Sequence, residues 1–246
     1  MLQNKLVSAR VSGPESLKAI LEVHPGVEVE SFEESDGLSI EFNQGSWIRE
    51  ALAAHPSVEG PYGLVELMDN NPLVCADRAS CPGPAATLAL VGLGPLIRAG
   101  LVIERPSILF SFDADYEEVD AALASMGWPD GATCAGDPIA LGGVVSATCL
   151  SAIRIPMDAE EIDELFEEAY GRSFFVRRTE LDALNPDQLR GMPYAEYALA
   201  LTEGEGGLGL LRVQVLADIN GKCGAAQLVH LFNVMSGFEE DLGISN

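Results

Sequence analysis

Ser80-Cys81-Pro82-Gly83-Pro84, followed without interruption by Ala85-Ala86-Thr87-Leu88-Ala89-Leu90-Val91-Gly92-Leu93-Gly94-Pro95-Leu96-Ile97-Arg98-Ala99-Gly100, is the stretch on which the fold turns. From Ala85 to Gly100 the side chains are apolar almost all round, which predicts a buried helix without a solvent face. Upstream, Val7 to Val11 reads as a strand, and Glu15 to Val23 places Leu17, Ile20 and Leu21 at helical spacing. His24-Pro25-Gly26 stops that helix, and Val27 to Phe32 reads as the next strand. Ser46 to Ala54 is predicted as a second short helix, N-capped by Ser46 and ended near Pro56. This βαβ-like opening is shorter than a full dinucleotide-binding domain requires.

Downstream, Ser107 to Phe112 predicts a strand, and Asp115 to Met126 an amphipathic helix with Val119, Ala122, Leu123 and Met126 on one stripe. Val144 to Ile155 is β-rich. Asp158 opens another helix, with Glu161 in capping-box register and Ile162, Leu165, Phe166, Ala169 and Tyr170 on its apolar face. Tyr194 to Thr202 and Leu208 to Leu216 read as an antiparallel pair around the glycine-rich turn Glu203 to Gly207. A last helix runs from about Gly224 to Ser236 and stops at Gly237. Repeats, low-complexity tracts and flexible linkers are not visible, and the class is α/β with a mixed sheet.

The 246 residues include 38 acidic and 14 basic ones, for a formal net charge of −24. Such a surface repels nucleic-acid phosphates and anionic membranes, which argues against nucleic-acid partners. Acidity of this kind keeps a protein soluble, and basic partners or high salt would also suit it. No apolar run approaches the ~20 residues that span a bilayer, and Met1 to Arg10 lacks the apolar core of a signal peptide. The expectation is a soluble, cytoplasmic protein without membrane insertion. Five cysteines, Cys75, Cys81, Cys134, Cys149 and Cys223, include no C-x-x-C pair, so neither a disulfide framework nor a zinc site is expected. Three histidines, His24, His55 and His230, are the only candidates for a histidine base.

Four segments, in order, resemble N-acetyl-γ-glutamyl-phosphate reductase, within the wider aspartate-semialdehyde dehydrogenase superfamily. Tyr62-Gly63-Leu64-Val65-Glu66-Leu67 is similar to that family's Y-G-L-x-E-L. Ser80 to Pro84 with the following helix resembles its N-P-G-C motif and helix. Glu160 to Arg177 resembles a helix followed by an F-V-R strand. Ala217 to Ile244 resembles the D-N-L-V-K-G-A-x-G-Q-A-V-Q-N-M-N-L-M-x-G ending. The resemblance implies a truncated Rossmann-like N-terminal portion, residues 1–79 joined by a C-terminal helix at 222–246. The semialdehyde-dehydrogenase-type catalytic and dimerisation domain, α+β with a mixed or antiparallel sheet, would occupy 80–221.

The resemblance also implies a chemistry. The family reduces an acyl phosphate with NADPH, using a cysteine thiolate as nucleophile and a histidine to handle protons. Its glycine-rich phosphate loop follows the first strand. Here Ser12-Gly13-Pro14 leads straight into the helix at Glu15, and Pro14 removes an N–H donor. A gap-free register through Pro82-Gly83 and Pro95-Leu96 puts Pro84 at the cysteine position and Cys81 at the asparagine. A rival register matches Cys81 itself, but it inserts three residues within the helix, a face rotation of about 300°. No histidine lies between His55 and His230, where the family has a glycine–histidine pair. Ser111 to Trp128, acidic in character, stands in place of the family's serine- and glycine-rich stretch. His230 is expected to be a packed helix residue, and His24 and His55 solvated caps. Lys222 matches a family lysine near the active site and could instead cap a turn or pair with Asp218.

These readings lead to a non-catalytic homologue, without cofactor, serving as a structural or regulatory subunit. A homo-oligomer, or a place in a larger complex, would use the strands within Val144 to Ile155 and Tyr194 to Leu216. The first alternative is an NADP-dependent semialdehyde dehydrogenase or acyl-phosphate reductase with Cys81 as nucleophile. The second is a small-molecule sensor whose substrate-like pocket lies near Cys81, Lys222 and Asp218. No metal site is expected.

Overall fold

The structure is a computed structural model that describes residues 7–156 and 158–244; residues 1–6 of the Met1 to Arg10 stretch lie outside the described residues. β1 (Val7–Gly13), α1 (Glu15–Glu22) and β2 (Val27–Glu34) form a parallel βαβ unit. β3 (Ser39–Gln44) lies antiparallel to β1 and joins β4 (Trp47–Ala53) through a tight turn with Gly45 at positive φ. α2 (Asn70–Cys75) leads into β5 (Arg78–Cys81), parallel to β4. This first sheet has the order β2-β1-β3-β4-β5. α3 (Pro84–Arg98) follows, then β6 (Ser107–Phe110), α4 (Tyr116–Ser125), β7 (Thr133–Gly136) and β8 (Val144–Arg154). α5 (Glu160–Tyr170), β9 (Val176–Arg178), α6 (Pro186–Leu189), β10 (Ala195–Glu203) and β11 (Leu208–Asp218) complete a second sheet of order β7-β6-β8-β11-β10-β9. α7 (Ala225–Ser236) closes the chain's regular structure and ends at Gly237, whose φ of 73° suits a residue without Cβ. Both sheets are mixed, as the α/β reading expects.

The two long buried helices change sheets. α3 leaves β5 of the first sheet and packs on β8 and β11 of the second. α7 leaves β11 of the second sheet and packs on β3, β4 and β5 of the first. Each helix therefore has apolar neighbours on several sides, which is why neither carries a polar stripe. α3 is buried from Ala85 to Ile97, and α7 along its whole length. Pro95 interrupts α3 internally, because it lacks the N–H that would bond Val91 O. The buried Tyr170 hydroxyl repairs that gap, lying 3.1 Å from Val91 O and 3.2 Å from Leu90 O.

Most of the predicted elements form where periodicity puts them. Asp158 N and Glu160 N are held by Glu161 and Asp158 carboxylates, the reciprocal arrangement of a capping box. Ser46 to Ala54 is a correction, because it is strand β4 and not a helix. Its inward row is Arg49, Ala51 and Ala53, and the buried arginine breaks the apolar alternation that would have marked a strand. β3, β5 and β7 also escaped the reading, whereas the F-V-R segment forms β9. A second correction concerns His24, which is not a solvated cap. It is buried, bonds Asn233 Oδ1 at 2.9 Å and accepts from Gly26 N–H at 3.1 Å. His55 is exposed, as expected.

Arg49 explains how β4, α2 and α7 stay together. Its guanidinium is 1% exposed. It donates to Leu73 O and Val74 O at the end of α2, to Ala76 O just beyond, to Met235 O at the end of α7, and to Gln44 Oε1. The last carbonyls of a helix have no intrahelical partner and carry the negative end of its dipole, so a cation there satisfies both needs. Arg49→Ala should therefore cost about 3 kcal/mol or more, since several buried carbonyls lose their donor at once. Arg49→Lys, with fewer and unforked donors, should recover only part of it. Urea unfolding of the three proteins measures both values.

Candidate functional site

The helix exchange places the N-termini of α3 and α7 side by side. Gln227 Nε2 on α7 donates to Pro82 O and to Thr87 Oγ1, both at 2.8 Å, and Thr87 Oγ1 donates to Pro82 O at 3.0 Å. Cys223 Sγ sits 3.9 Å from Pro84 O. α3 begins at Gly83, with Pro84 in its first turn, where a missing N–H costs nothing. Gly83 N–H donates 2.8 Å to Glu118 Oε1 of α4, which also accepts from the Tyr62 hydroxyl at 3.0 Å. A Cβ at position 83 would lie 2.6 Å from the other Glu118 oxygen, so a side chain there would push the carboxylate off this contact. The positive end of the α3 dipole is thus already matched by a carboxylate from the chain itself.

Behind this joint lies a buried chain of ionisable groups. Lys222 Nζ bonds Glu66 Oε1 at 2.6 Å, and both side chains are sequestered from solvent. His230 Nδ1 lies 3.8 Å from Glu66 Oε1, and its Nε2 lies 3.2 Å from Glu240 Oε2. The His230 ring stacks against Phe175 at 4.3 Å, and Ser173 Oγ donates 3.3 Å to Glu66. Burial pushes the Glu66 carboxyl up, but Lys222 and His230 outweigh it and hold it below the ordinary range. Glu240 is also lowered, first by its bond to His230. The expected pairing of Lys222 with Asp218 is therefore corrected. Asp218 instead accepts from Gly191, Asn220 and Gly221 N–H groups at 2.8–3.1 Å and shapes the turn into α7. His230 is packed on its helix, as read, and its Nε2 also bonds Glu240, whereas its Nδ1 makes no hydrogen bond to Glu66.

Cys81 ends β5, three residues before α3 begins, and is fully buried with its thiol 3.4 Å from Leu52 O. Burial raises its pKa to about 12, against the lowering effect of Lys222. Cys223 is likewise raised to about 12 by burial. Neither is a thiolate near neutral pH, which nucleophilic attack needs. With Lys222 and Cys81 both fully buried, the substrate-like pocket expected beside them is not formed by their side chains. The open space nearby is a cleft of about 360 Å³ whose walls include Pro14, Asp36, Pro84, Cys223 and Gly224.

The cofactor implied by the resemblance is tested by that cleft. The turn from β1 into α1 holds Pro14 at the N-cap, with no N–H to offer. Asp36 is the cleft's one charged lining residue, and no arginine or lysine lines it. The α3 N-terminus already carries Glu118. These residues do not fit the phosphates of NADP, which call for free N–H groups and positive charge. Among the described residues no cluster of His, Cys, Asp or Glu could hold a metal ion, and no helix is long and apolar enough to cross a membrane.

The architecture, two mixed sheets joined by exchanged helices, is a fold shared with an aspartate semialdehyde dehydrogenase. Aspartate semialdehyde dehydrogenase II from Vibrio cholerae superposes with a TM-score of 0.60 at 10% identity, covering 93% of this chain and 98% of that one. In sequence, the chain is similar to N-acetyl-gamma-glutamyl-phosphate reductases. Those of Bacillus cereus (strain 03BB102) and Bacillus anthracis (strain CDC 684 / NRRL 3495) are each 25% identical over 237 residues, covering 81% of this chain. The chain spans 66% of the length of these relatives. No protein-family model matches it.

Glu66 and Gln227 lie in segments that the resemblance covers, but pattern alone did not single them out. Glu118 carried no signal, since an acidic residue on an acidic amphipathic helix reads as solvated. The titrations have a shared consequence. His24 is held below 6.5 by burial, so its share of stability is present above about pH 6.5 and lost as pH falls through its folded pKa. Glu66 is held below 4.5, so its share is present above about pH 4.5 and lost at lower pH. Melting temperature should therefore fall in two stages between pH 7 and pH 3. His24→Gln should flatten the upper stage and leave the lower one.

Proposed function

We propose that the chain is a non-catalytic protein of semialdehyde-dehydrogenase fold that serves as a structural or regulatory subunit. The observation that supports this most directly is Pro84 in the first turn of α3, above the cleft. A proline has no nucleophilic atom, and the neighbouring Cys81 and Cys223 thiols are buried and protonated. Glu118 occupies the helix start where an activated anion would be stabilised. The poor fit of the cleft to NADP points the same way.

A second reading, an NADP-dependent dehydrogenase or acyl-phosphate reductase using Cys81, has one observation in its favour. Lys222 is close enough to the Cys81 thiol to lower its pKa against burial. Calorimetry with NADPH, paired with peptide-resolved alkylation, separates the two. The non-catalytic reading expects no binding at micromolar cofactor, with Cys75 labelled and Cys81 protected. Micromolar NADPH affinity, or fast labelling of Cys81 at pH 7, would overturn it.

As a subunit, the protein needs a surface that assembles. The face of the second sheet turned away from α3 carries Leu109, Leu150 and Leu210, which are 48%, 37% and 48% exposed. They alternate with inward Ile108, Cys149, Val213 and Leu211 along β6, β8 and β11. Adjacent strands bring Leu210 opposite Ala152, and Arg212 opposite Leu150. An exposed apolar face of this kind marks an association surface, and two copies of the chain pair through it. Light scattering should give twice the chain mass for the wild type. Leu150→Glu combined with Leu210→Glu should shift it to the monomer without loss of helix signal.

A further inference from the structure

Beyond the cleft, His24 stands where the end of α1, the turn into β2 and residues 238–244 after α7 meet, and it is 4% exposed. Phe232 of α7 and Phe238 enclose its ring at centroid distances of 5.9 and 5.4 Å. The backbone of Gly243 lies so close that a Cβ there would be 2.4 Å from His24 Cδ2. The ring is thus packed directly under residues 238–244.

Its proton positions follow from its partners. Gly26 N–H can only donate, so His24 Nδ1, at 3.1 Å, accepts and carries no proton. The neutral ring then holds its proton on Nε2 and donates it to Asn233 Oδ1 at 2.9 Å. That sets the Asn233 amide, whose Nδ2 donates to Glu240 O at 3.0 Å and to Leu242 O at 2.9 Å. One directional chain therefore runs from Gly26 through His24 and Asn233 to two carbonyls of residues 238–244. A further tie joins Glu240 Oε2 to His230 Nε2 at 3.2 Å.

We propose that residues 238–244 form an acid-released strap across α1 and α7, opened by protonation of His24. A proton on Nδ1 would set two N–H donors against each other at Gly26 and place a cation among phenylalanine rings. The ring meets Asn233 and Phe232 from α7, Phe238, Leu242 O and Gly243 from the strap, and Gly26 from the turn, none of them a carboxylate. On the same elements Glu22, Glu239 and Asp241 are exposed, and Glu240 is engaged by His230. Burial outweighs the acceptors on Asn233 and Leu242 and holds the ring below 6.5. The closed strap is therefore fully favoured above about pH 6.5 and loses stability as pH falls through the folded value. A proton on His230 strengthens its attraction to Glu240, so acid release does not come from that tie. Gly243 and Ile244 also wall a cavity of about 340 Å³ with Ile20 and Val23 of α1 and Ala226 of α7. Opening removes that wall and bares Phe232, whether or not the cleft is catalytic.

Hydrogen exchange of the full chain between about pH 7.5 and about pH 5, corrected for the intrinsic rate at each pH, tests the strap. Amides of residues 239–244 should exchange about fivefold faster or more at the acid end, while those of α3 and β11 keep their protection. NMR of the His24 ring should show the Nε2–H tautomer when neutral, and its titration midpoint should coincide with that of strap opening. His24→Gln should abolish the pH response. If the strap of that variant stands open at every pH, the wild-type midpoints decide. Exchange of 239–244 that does not change with pH would overturn the proposal. So would an opening midpoint that departs from the ring titration, or a His24→Gln protein that keeps the response.

Discussion

The joint at which α3 and α7 start carries the rest of the molecule. Each helix leaves one sheet and covers the other, so neither sheet buries its apolar face without the crossing. Gln227 ties the two starts by bonding Pro82 O and Thr87 Oγ1, in a place closed to water. Unmet polar groups there would cost free energy that no exposed surface could recover. The same closure forces Lys222 and Glu66 into each other's company. A buried ammonium beside a buried carboxylate tolerates the loss of neither partner, which fixes the turn at Val65–Leu67 against the loop before α7.

That joint also decides what chemistry the protein can do. The fold brings a helix start, a cysteine, a lysine and a histidine into one region, as an acyl-transferring reductase would require. Their environments then divide them. Burial keeps Cys81 protonated, Glu66 engages Lys222, and Glu118 takes the helix N–H that an anion would use. The parts are close in space and each is committed to a structural partner. Fold alone does not fix function, so site chemistry and not fold carries the functional argument.

Much of the fold was legible from residue order. Long periodic segments such as 85–100, 160–170 and 225–236 announced themselves, because burial on several sides or on one face leaves a mark on composition. The first sheet was harder. Arg49 stands in the inward row of β4, where a strand pattern calls for an apolar residue, and it is there because two helix ends need a donor. His24 looked like a solvated cap beside Pro25, yet Asn233, distant in sequence, receives its ring. Such partners do not appear in any local window.

The sequence by itself determined the class of fold, the positions of the two buried helices, the single-glycine turn Ser12-Gly13-Pro14 after β1, and the proline at the start of α3. These follow from local rules of periodicity, backbone donors and steric freedom, which act over a few residues. Only the tertiary structure decided which groups meet. It paired Lys222 with Glu66 rather than Asp218, turned Cys81 inward and set Glu118 on the α3 N-terminus. Each of those outcomes joins residues far apart in the chain. The strength of a charge or hydrogen bond depends on distance and on exclusion of water, and both are set only when the sheets and helices close on one another.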